Sequence, residues 1–350
     1  MSSGRPAVRG LRPTLATVAA AAGVSVATVS KVLNGRSDVS PSTRALVEQV
    51  LRQHDYVPPA PRRAAGVTQP SLEVEFDGDL NPYSTEILHG VLGAAAEAGL
   101  AVVVGVRSST LRANGDRPTS WVRDMADAGR RALVAVTSEL TPAEVAALRR
   151  GRLPLVVIDP LNLPDPGVTS VGSTNFAGGL AATRHLLGRG HRRIAYVGGP
   201  AAASCNQARM HGYLAALAAQ SAPPAPELIH HGRFQYRDGL MFGALLLDLP
   251  EPPTAVFAGN DEQALGVVEA ARTRGLRIPE DLSVVGFDDT QLARMASPPL
   301  TTVRQPLREM GAVAVRTALR LAAGETVDSH HVELATELVV RGSTAVAPPP

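Results

Sequence analysis

From residue 72 onward, short runs rich in Val, Ile and Phe alternate with longer Ala/Leu-rich stretches of helical spacing. That alternation constrains the fold of this 350-residue chain more than any other feature. The runs fall at 72–76, 100–104, 132–136, 155–158, 194–197, 255–258 and 283–287, with helical stretches such as 86–98, 176–187 and 262–274 between them. Strands apolar throughout are buried on both faces, and a strand–helix–strand sequence returns to its sheet as a parallel neighbour. An α/β body of parallel, doubly wound sheets is therefore expected. Single cores stop growing at roughly 250–300 residues, so two lobes, each with its own sheet, are predicted for residues 71–343. Ligands of such sheets sit outside the carboxyl ends of the strands. Asp159, Asn260-Asp261 and Asp288-Asp289 occupy those ends here. Each also precedes a helix, so N-capping is the competing reading of each.

Residues 14–57, TLATVAAAAGVSVATVSKVLNGRSDVSPSTRALVEQVLRQHDYV, follow another pattern. Thr14 caps a first helix that runs to about Ala22 and is ended by Gly23. Ser25 caps a second over 26–33, stopped by Asn34-Gly35, and Ser40-Pro41 opens a third to about His54. Two short helices joined by a Gly-containing turn make a helix-turn-helix. Val18, Val29, Val32, Leu33, Leu46 and Val50 are expected to fill its small core. The outer face of the second helix carries Val26, Ala27, Thr28, Ser30 and Lys31. In a major groove, Val26 and Ala27 can touch thymine methyls and Lys31 can donate to guanine acceptors. Thr28, Ser30, Asn34 and Thr43 suit phosphates, and Thr14 and Ser25 complete the DNA-facing set. Charge agrees: residues 1–66 hold nine basic and three acidic side chains, a net of +6, which leaves −4 on the remainder. A basic head on a mildly acidic body points to a polyanion at the head.

The run GVSVATVSKVLNG followed by VSPSTRALVEQVLRQHDYVP resembles the DNA-binding head of the lactose-repressor (LacI/GalR) family. GHRRIAYVGGP, SCNQARMHGYLAAL, TAVFAGNDEQALGVVEAARTRGLRIPEDLSVVGFDD and SPPLTTVRQPLREMGAVAV resemble blocks of the same regulators. The resemblance implies a two-lobed body like that of periplasmic sugar-binding proteins, with the LTTVRQP block crossing between lobes. It implies that Val26 and Ala27 set operator choice, and that a small effector, expected to be a sugar, touches Asp159, Arg209, Phe234, Asn260 and Asp288. Arg209 would clamp the ligand, Phe234 stack on it and Asp288 bind vicinal hydroxyls, with Asn81 and Tyr83 at the first-lobe edge. Asn175 and Cys205 are secondary candidates, and Cys205 also reads as an inert buried thiol. Dimerisation through the body and a pseudo-palindromic operator follow from the same resemblance. The linker departs from it. In PAPRRAAG, Arg62 and Arg63 keep the basic character, but Ala65 stands where the family's minor-groove leucine usually lies. The operator is therefore expected to be bent less than is usual in the family.

The domain reading is a helix-turn-helix head at 12–59, a linker at 60–70, the effector-binding and dimerisation body at 71–343, and a disordered tail at 344–350. The expected function is a sequence-specific transcriptional regulator, a repressor released by a sugar, acting in the cytoplasm as a homodimer without cofactor or metal. One cysteine excludes an intrachain disulfide and a cysteine-based zinc site. No uninterrupted apolar run of about 18 residues occurs, so no membrane span is expected. A phosphate loop, an HExxH, a dinucleotide fingerprint and a GxSxG elbow are all missing. Two alternatives stay open: a sugar-binding protein whose head has lost DNA function, and a carbohydrate-active enzyme using Asp159 with Asp288 or Asp261.

Overall fold

The computed structural model describes residues 14–33, 36, 39–53, 70–107, 117–162, 167–221 and 224–348. The chain divides into two units, Met1–Val67 and Thr68–Pro350.

In the first unit, α1 (Leu15–Ala22), α2 (Val26–Leu33) and α3 (Pro41–Gln53) form a small bundle. Gly23 ends α1 at φ 64°, a left-handed conformation that costs a glycine nothing, and its N–H closes on Ala19 and Ala20 carbonyls. The turn sets α2 at 105° to α1, within the roughly 90–120° of a helix-turn-helix. Val18, Val29, Val32, Val47 and Val50 are buried together with Ala19 and Ala22, while Leu33 is partly covered. Leu46 does not join them. It lies exposed and Val47 takes its place, because one residue along a helix turns the side chain by about 100°.

The second unit contains two six-stranded sheets. The first sheet has the order β11-β5-β4-β3-β1-β2, built from β1 (Ser71–Asp77), β2 (Ala101–Arg107), β3 (Arg130–Val136), β4 (Leu155–Ile158), β5 (Thr169–Ser173) and β11 (His331–Leu334). All its pairings are parallel. The second sheet runs β12-β10-β9-β8-β6-β7. Its members are β6 (Ile194–Gly198), β7 (Ile229–His231), β8 (Ala255–Ala258), β9 (Ser283–Asp288), β10 (Thr301–Arg304) and β12 (Glu337–Val339). Only β12 pairs antiparallel, with β10. The seven apolar runs all become strands. Thr169–Ser173, Ile229–His231, Thr301–Arg304, His331–Leu334 and Glu337–Val339 are additions that the apolar pattern did not show.

Alternation on β1 turns Leu72, Val74 and Phe76 onto one face, where they pack with α4 (Pro82–Glu97) and α12 (Leu307–Ala322). Each such fully buried side chain contributes about 1.5–3 kcal/mol. The opposite face meets α5 (Arg117–Asp127) and α6 (Pro142–Arg150) through Leu133 and Val157. The second sheet is covered by α7 (Asn175–Gly188) and α8 (Ser204–Ala218) on one side, and by α9 (Tyr236–Leu247) and α10 (Asp261–Arg272) on the other. A short α11 (Gln291–Met295) follows β9. The chain passes between lobes three times: from β5 into α7, from β10 into α12, and from β11 into β12.

The expected disordered end does not hold for residues 344–348. Thr344 is buried, and the Ala345 and Ala347 amides donate to Ser283 Oγ and the Arg189 carbonyl, so this segment is laid along the second lobe. The linker expectation, with Arg62, Arg63 and Ala65, lies outside the described residues.

Candidate functional site

The head carries hydroxyls at all three helix starts. Thr14 Oγ1 accepts the Thr17 amide, Ser25 Oγ accepts the Thr28 amide at 3.1 Å, and Ser40 Oγ accepts the Thr43 amide at 3.2 Å. These caps satisfy amides that a helix start leaves without partners and hold the short helices in place. On α2, Val29 and Val32 face the core, whereas Val26, Ala27 and Lys31 lie on the exposed side and Ser30 is half-covered between them. Thr28 and Thr43 are half-buried, each tied to its cap, and Thr14 and Ser25 are exposed. Asn34 falls outside the described residues.

In the body, a cavity of about 180 Å³ opens between the carboxyl ends of the two sheets. Its volume is several times the ~30 Å³ share of one water, so it can hold a small molecule. Asn81, Tyr83 and Asp159 line it from the first lobe, and Arg209, Phe234, Asn260 and Asp288 from the second. All seven effector candidates read from the sequence thus border one space. Four wall residues, Thr137, Asp159, Phe234 and Asp288, hold φ values of 46°, 44°, 63° and 112°. A non-glycine backbone in that region costs of order 1–3 kcal/mol each and persists only where surroundings enforce it, typically at binding sites.

The groups differ in how far they are committed elsewhere. Asn81 and Asn260 are helix N-caps: the Oδ1 of each accepts an amide, from Ser84 and Gln263, both at 2.9 Å. The capping reading is therefore right for Asn260, whose Nδ2 also donates to the Phe234 carbonyl, while the cap at Asn81 was not anticipated. Asp159 and Asp288 cap nothing through their carboxylates. Asp159 accepts from Tyr83 Oη at 2.7 Å, and Asp288 from Gln305 Nε2 at 2.6 Å. Burial pushes both carboxyls above their ordinary range, Asp288 well above it, while the Arg209 guanidinium draws them back down.

Arg209 is the most constrained cation here. Its Nε donates to Asn175 Oδ1 at 2.7 Å and its Nη1 to the Gly259 carbonyl at 2.6 Å. Its guanidinium carbon lies 3.9 Å from the Phe287 ring centre and 5.5 Å from that of Phe234, so aromatic faces contact the plane. Asn175 is thus a holder of Arg209. Cys205 borders the cavity, but burial raises its thiol to about 11, which keeps it protonated.

Asp77, Asp79 and Arg233 also line the cavity and were not anticipated. Asp77 ends β1, so the strand-end rule that located Asp159 would have found it as well. Among the described residues, no group of His, Cys, Asp and Glu could hold a metal ion.

A capped helix-turn-helix joined to a two-lobed, ligand-sized cleft defines a transcription regulator with a sensor body. Residues 14–59 match the lacI family of bacterial regulatory proteins, and residues 183–344 a periplasmic binding protein-like domain. The chain is 32% identical to catabolite control protein A of Priestia megaterium, over 95% of this chain and 99% of that protein. It is 33% identical to the regulator CelR of Thermobifida fusca, over 95% and 98%. It is 32% identical to the repressor CytR of Escherichia coli K12, over 96% and 97%. Among solved structures, a CelR–cellobiose complex superposes with a TM-score of 0.69 at 33% identity, covering 95% of this chain and all of that one. A lac repressor dimer bound to operator and the anti-inducer ONPF gives 0.69 at 28% identity, over 95% and 99%. The chain belongs to the lacI family of bacterial regulatory proteins.

Proposed function

We propose that this chain is a homodimeric repressor that binds a pseudo-palindromic operator and leaves it when a sugar fills the interlobe cavity. The observation that carries the reading is the convergence of Asp159, Arg209, Phe234 and Asp288 on one small cavity at the strand ends. Two carboxylates accept from hydroxyls, a guanidinium donates, and an aromatic face suits the C–H side of a sugar ring. The CelR structure holds cellobiose, which supports a carbohydrate here. We assign Val26 and Ala27 to base edges, Lys31 to guanine, Thr14, Ser25, Thr28, Ser30 and Thr43 to phosphates, and Asn34, Arg62 and Arg63 to the same DNA-contacting set.

A dimer gives two heads for two half-sites. Edge strand β2 exposes Val104 and Val106, and α9 exposes Met241 and Leu245 one helical turn apart, apolar surface that a second copy would cover. Among the described residues, no single helix is long and apolar enough to cross a membrane; the place of action we assign is the cytoplasm, where operator DNA is. We read the cavity as a binding site and not an enzyme's, because the relatives this chain resembles over nearly its whole length are regulators. Ligand must favour one body state over the other, with a coupling of about 1–3 kcal/mol.

A thermal-shift screen against mono- and disaccharides, cellobiose and D-ribose included, tests this. At least one sugar is expected to raise the melting temperature of the wild-type protein, and Arg209→Ala or Asp288→Ala to abolish that rise while DNA binding persists. A variant that responds like wild type removes the cavity assignment.

A further inference from the structure

Ser173 closes β5 in the first lobe, two residues before α7 enters the second, and Gln305 follows β10 where the chain returns towards α12. These two crossings are 132 residues apart in sequence, yet Ser173 Oγ donates to Gln305 Oε1 at 2.5 Å. The other end of the same amide, Nε2, donates to Asp288 Oδ1 at 2.6 Å. The amide thus turns its nitrogen towards Asp288 and its oxygen towards the serine. From Asp288 Oδ1 the path continues 4.0 Å to Arg209 Nη1, then from Arg209 Nε to Asn175 Oδ1 at 2.7 Å. It returns from Asn175 Nδ2 to the Ser173 carbonyl at 3.0 Å. Five polar residues therefore form a closed ring that begins and ends on Ser173. Ser173 is fully buried, and Gln305, Asp288, Arg209 and Asn175 are 3%, 4%, 3% and 6% exposed. Losing a member leaves a buried polar group without its partner.

Only Asp288 and Arg209 of the five border the cavity; Ser173, Asn175 and Gln305 stand behind them. We propose that Gln305 is a positioning residue that ties the cavity-facing carboxylate of Asp288 to the first lobe through Ser173, so that cavity occupancy and interlobe angle are coupled through its amide. The part concerning occupancy rests on the effector reading above; the part concerning the angle does not. A group that draws Asp288 towards the cavity pulls on Gln305, and through it on the hydroxyl at the end of β5. A second tie, Thr174 Oγ1 to Thr336 Oγ1 at 2.9 Å, fastens the first crossing to the third. Neither residue of that tie lines the cavity, so occupancy reaches the crossings through the ring, by Gln305 from Asp288 and by Asn175 from Arg209.

The test is a distance measurement between lobes in the full-length protein. Spin labels go on Glu97→Cys, at the end of α4, and Gln220→Cys, just after α8, both exposed, with Cys205 buried. Double electron–electron resonance is recorded alone and with cellobiose or D-ribose, for wild type, Ser173→Ala, Gln305→Met and the double variant. Ser173→Ala removes one hydroxyl from a serine and decides the matter if Gln305→Met fails to fold. Each single variant is expected to broaden the sugar-free distance distribution about twofold. The double variant is expected to broaden it no further, since both changes break one chain. Single variants with wild-type distributions, or a double variant with additive broadening, overturn the proposal. If a sugar narrows the wild-type distribution while the variants match wild type, the ring fails and the effector reading stands. If the variants broaden and no sugar alters any distribution, the ring stands and the sugar reading fails.

Discussion

Tyr83 Oη donates to Asp159 Oδ2 at 2.7 Å and joins the first turn of α4 to the end of β4 on one wall of the cavity. Burial already raises the Asp159 carboxyl, and the Tyr83 bond is one of the two influences that lower it. Tyr83→Phe removes that influence. The folded-state pKa rises further above the unfolded one, so the penalty for ionising Asp159 grows as pH climbs through the interval between the two. Urea denaturation is expected to show Tyr83→Phe less stable by about 1–3 kcal/mol at pH 7, with a smaller deficit near pH 4. A deficit that does not change with pH would mean that the hydroxyl acts through packing alone.

Asp261 carries the same kind of penalty in a place remote from solvent. Its Oδ1 accepts from Thr302 Oγ1, and its Oδ2 from the Thr290 amide and Oγ1. Burial nevertheless raises it to about 7, against those hydrogen bonds and with help from Asp289. Its folded pKa lies above its unfolded pKa. The stability it contributes is thus complete below about pH 4 and lost as pH rises to about 7. Asp261→Asn keeps the hydrogen bonds, with Nδ2 donating to Thr302 Oγ1, and carries no charge. Its stability relative to wild type should rise between pH 4 and 7 and then level off. Parallel pH–stability curves would show that Asp261 is not the titrating group.

Helices α7 and α8 approach closely enough at Gly179 that an added Cβ would lie 2.2 Å from the Arg209 carbonyl oxygen. Backbone cannot give way as a flexible side chain can. Gly179→Ala is expected to cost about 1–3 kcal/mol and to weaken sugar binding by displacing Arg209. Gly188→Ala on the same helix meets nothing within 4 Å and should be neutral or slightly stabilising. Thermal denaturation of the pair checks this, and equal effects would remove the close approach as the cause.

How much of this was legible in the sequence depended on whether a signal was local. Strands such as β3, β4, β8 and β9 were readable because both faces are buried, which leaves near-continuous apolar runs. β5 (TSVGS), β7 (IHH) and β11 (HVEL) were not, since they are short, polar or placed at or near a sheet edge, where pairing and not composition makes the strand. Helix caps were readable at Thr14, Ser25 and Ser40 because the cap and its amide are three residues apart. The strand-end rule found Asp159, Asn260 and Asp288. It was not applied to Asp77, which sits in FDGDLNPYS and reads as loop. The Ser173–Gln305 bond is invisible in the sequence, because only the second and first crossings, folded together, make the two residues neighbours.

The head has an electrostatic signature of its own. Lys31 lies on the exposed side of α2, opposite Val29 and Val32. Lys31→Ala should weaken binding to operator DNA and leave sugar affinity unchanged. If Lys31 contacts a phosphate, the slope of log K against log salt falls by about 1. If it contacts guanine, the loss is about 1–3 kcal/mol and falls mainly on one base pair of the site. Unchanged titrations at several salt concentrations would take Lys31 off the DNA face.

The most direct measurement selects DNA from a random-sequence pool with the purified full-length protein and repeats the selection with a sugar that stabilises it. A two-half-site, pseudo-palindromic sequence should be enriched without sugar and lose enrichment with it. Retention of DNA without sequence preference, or enrichment indifferent to every stabilising sugar, would contradict the account of a sugar-released repressor.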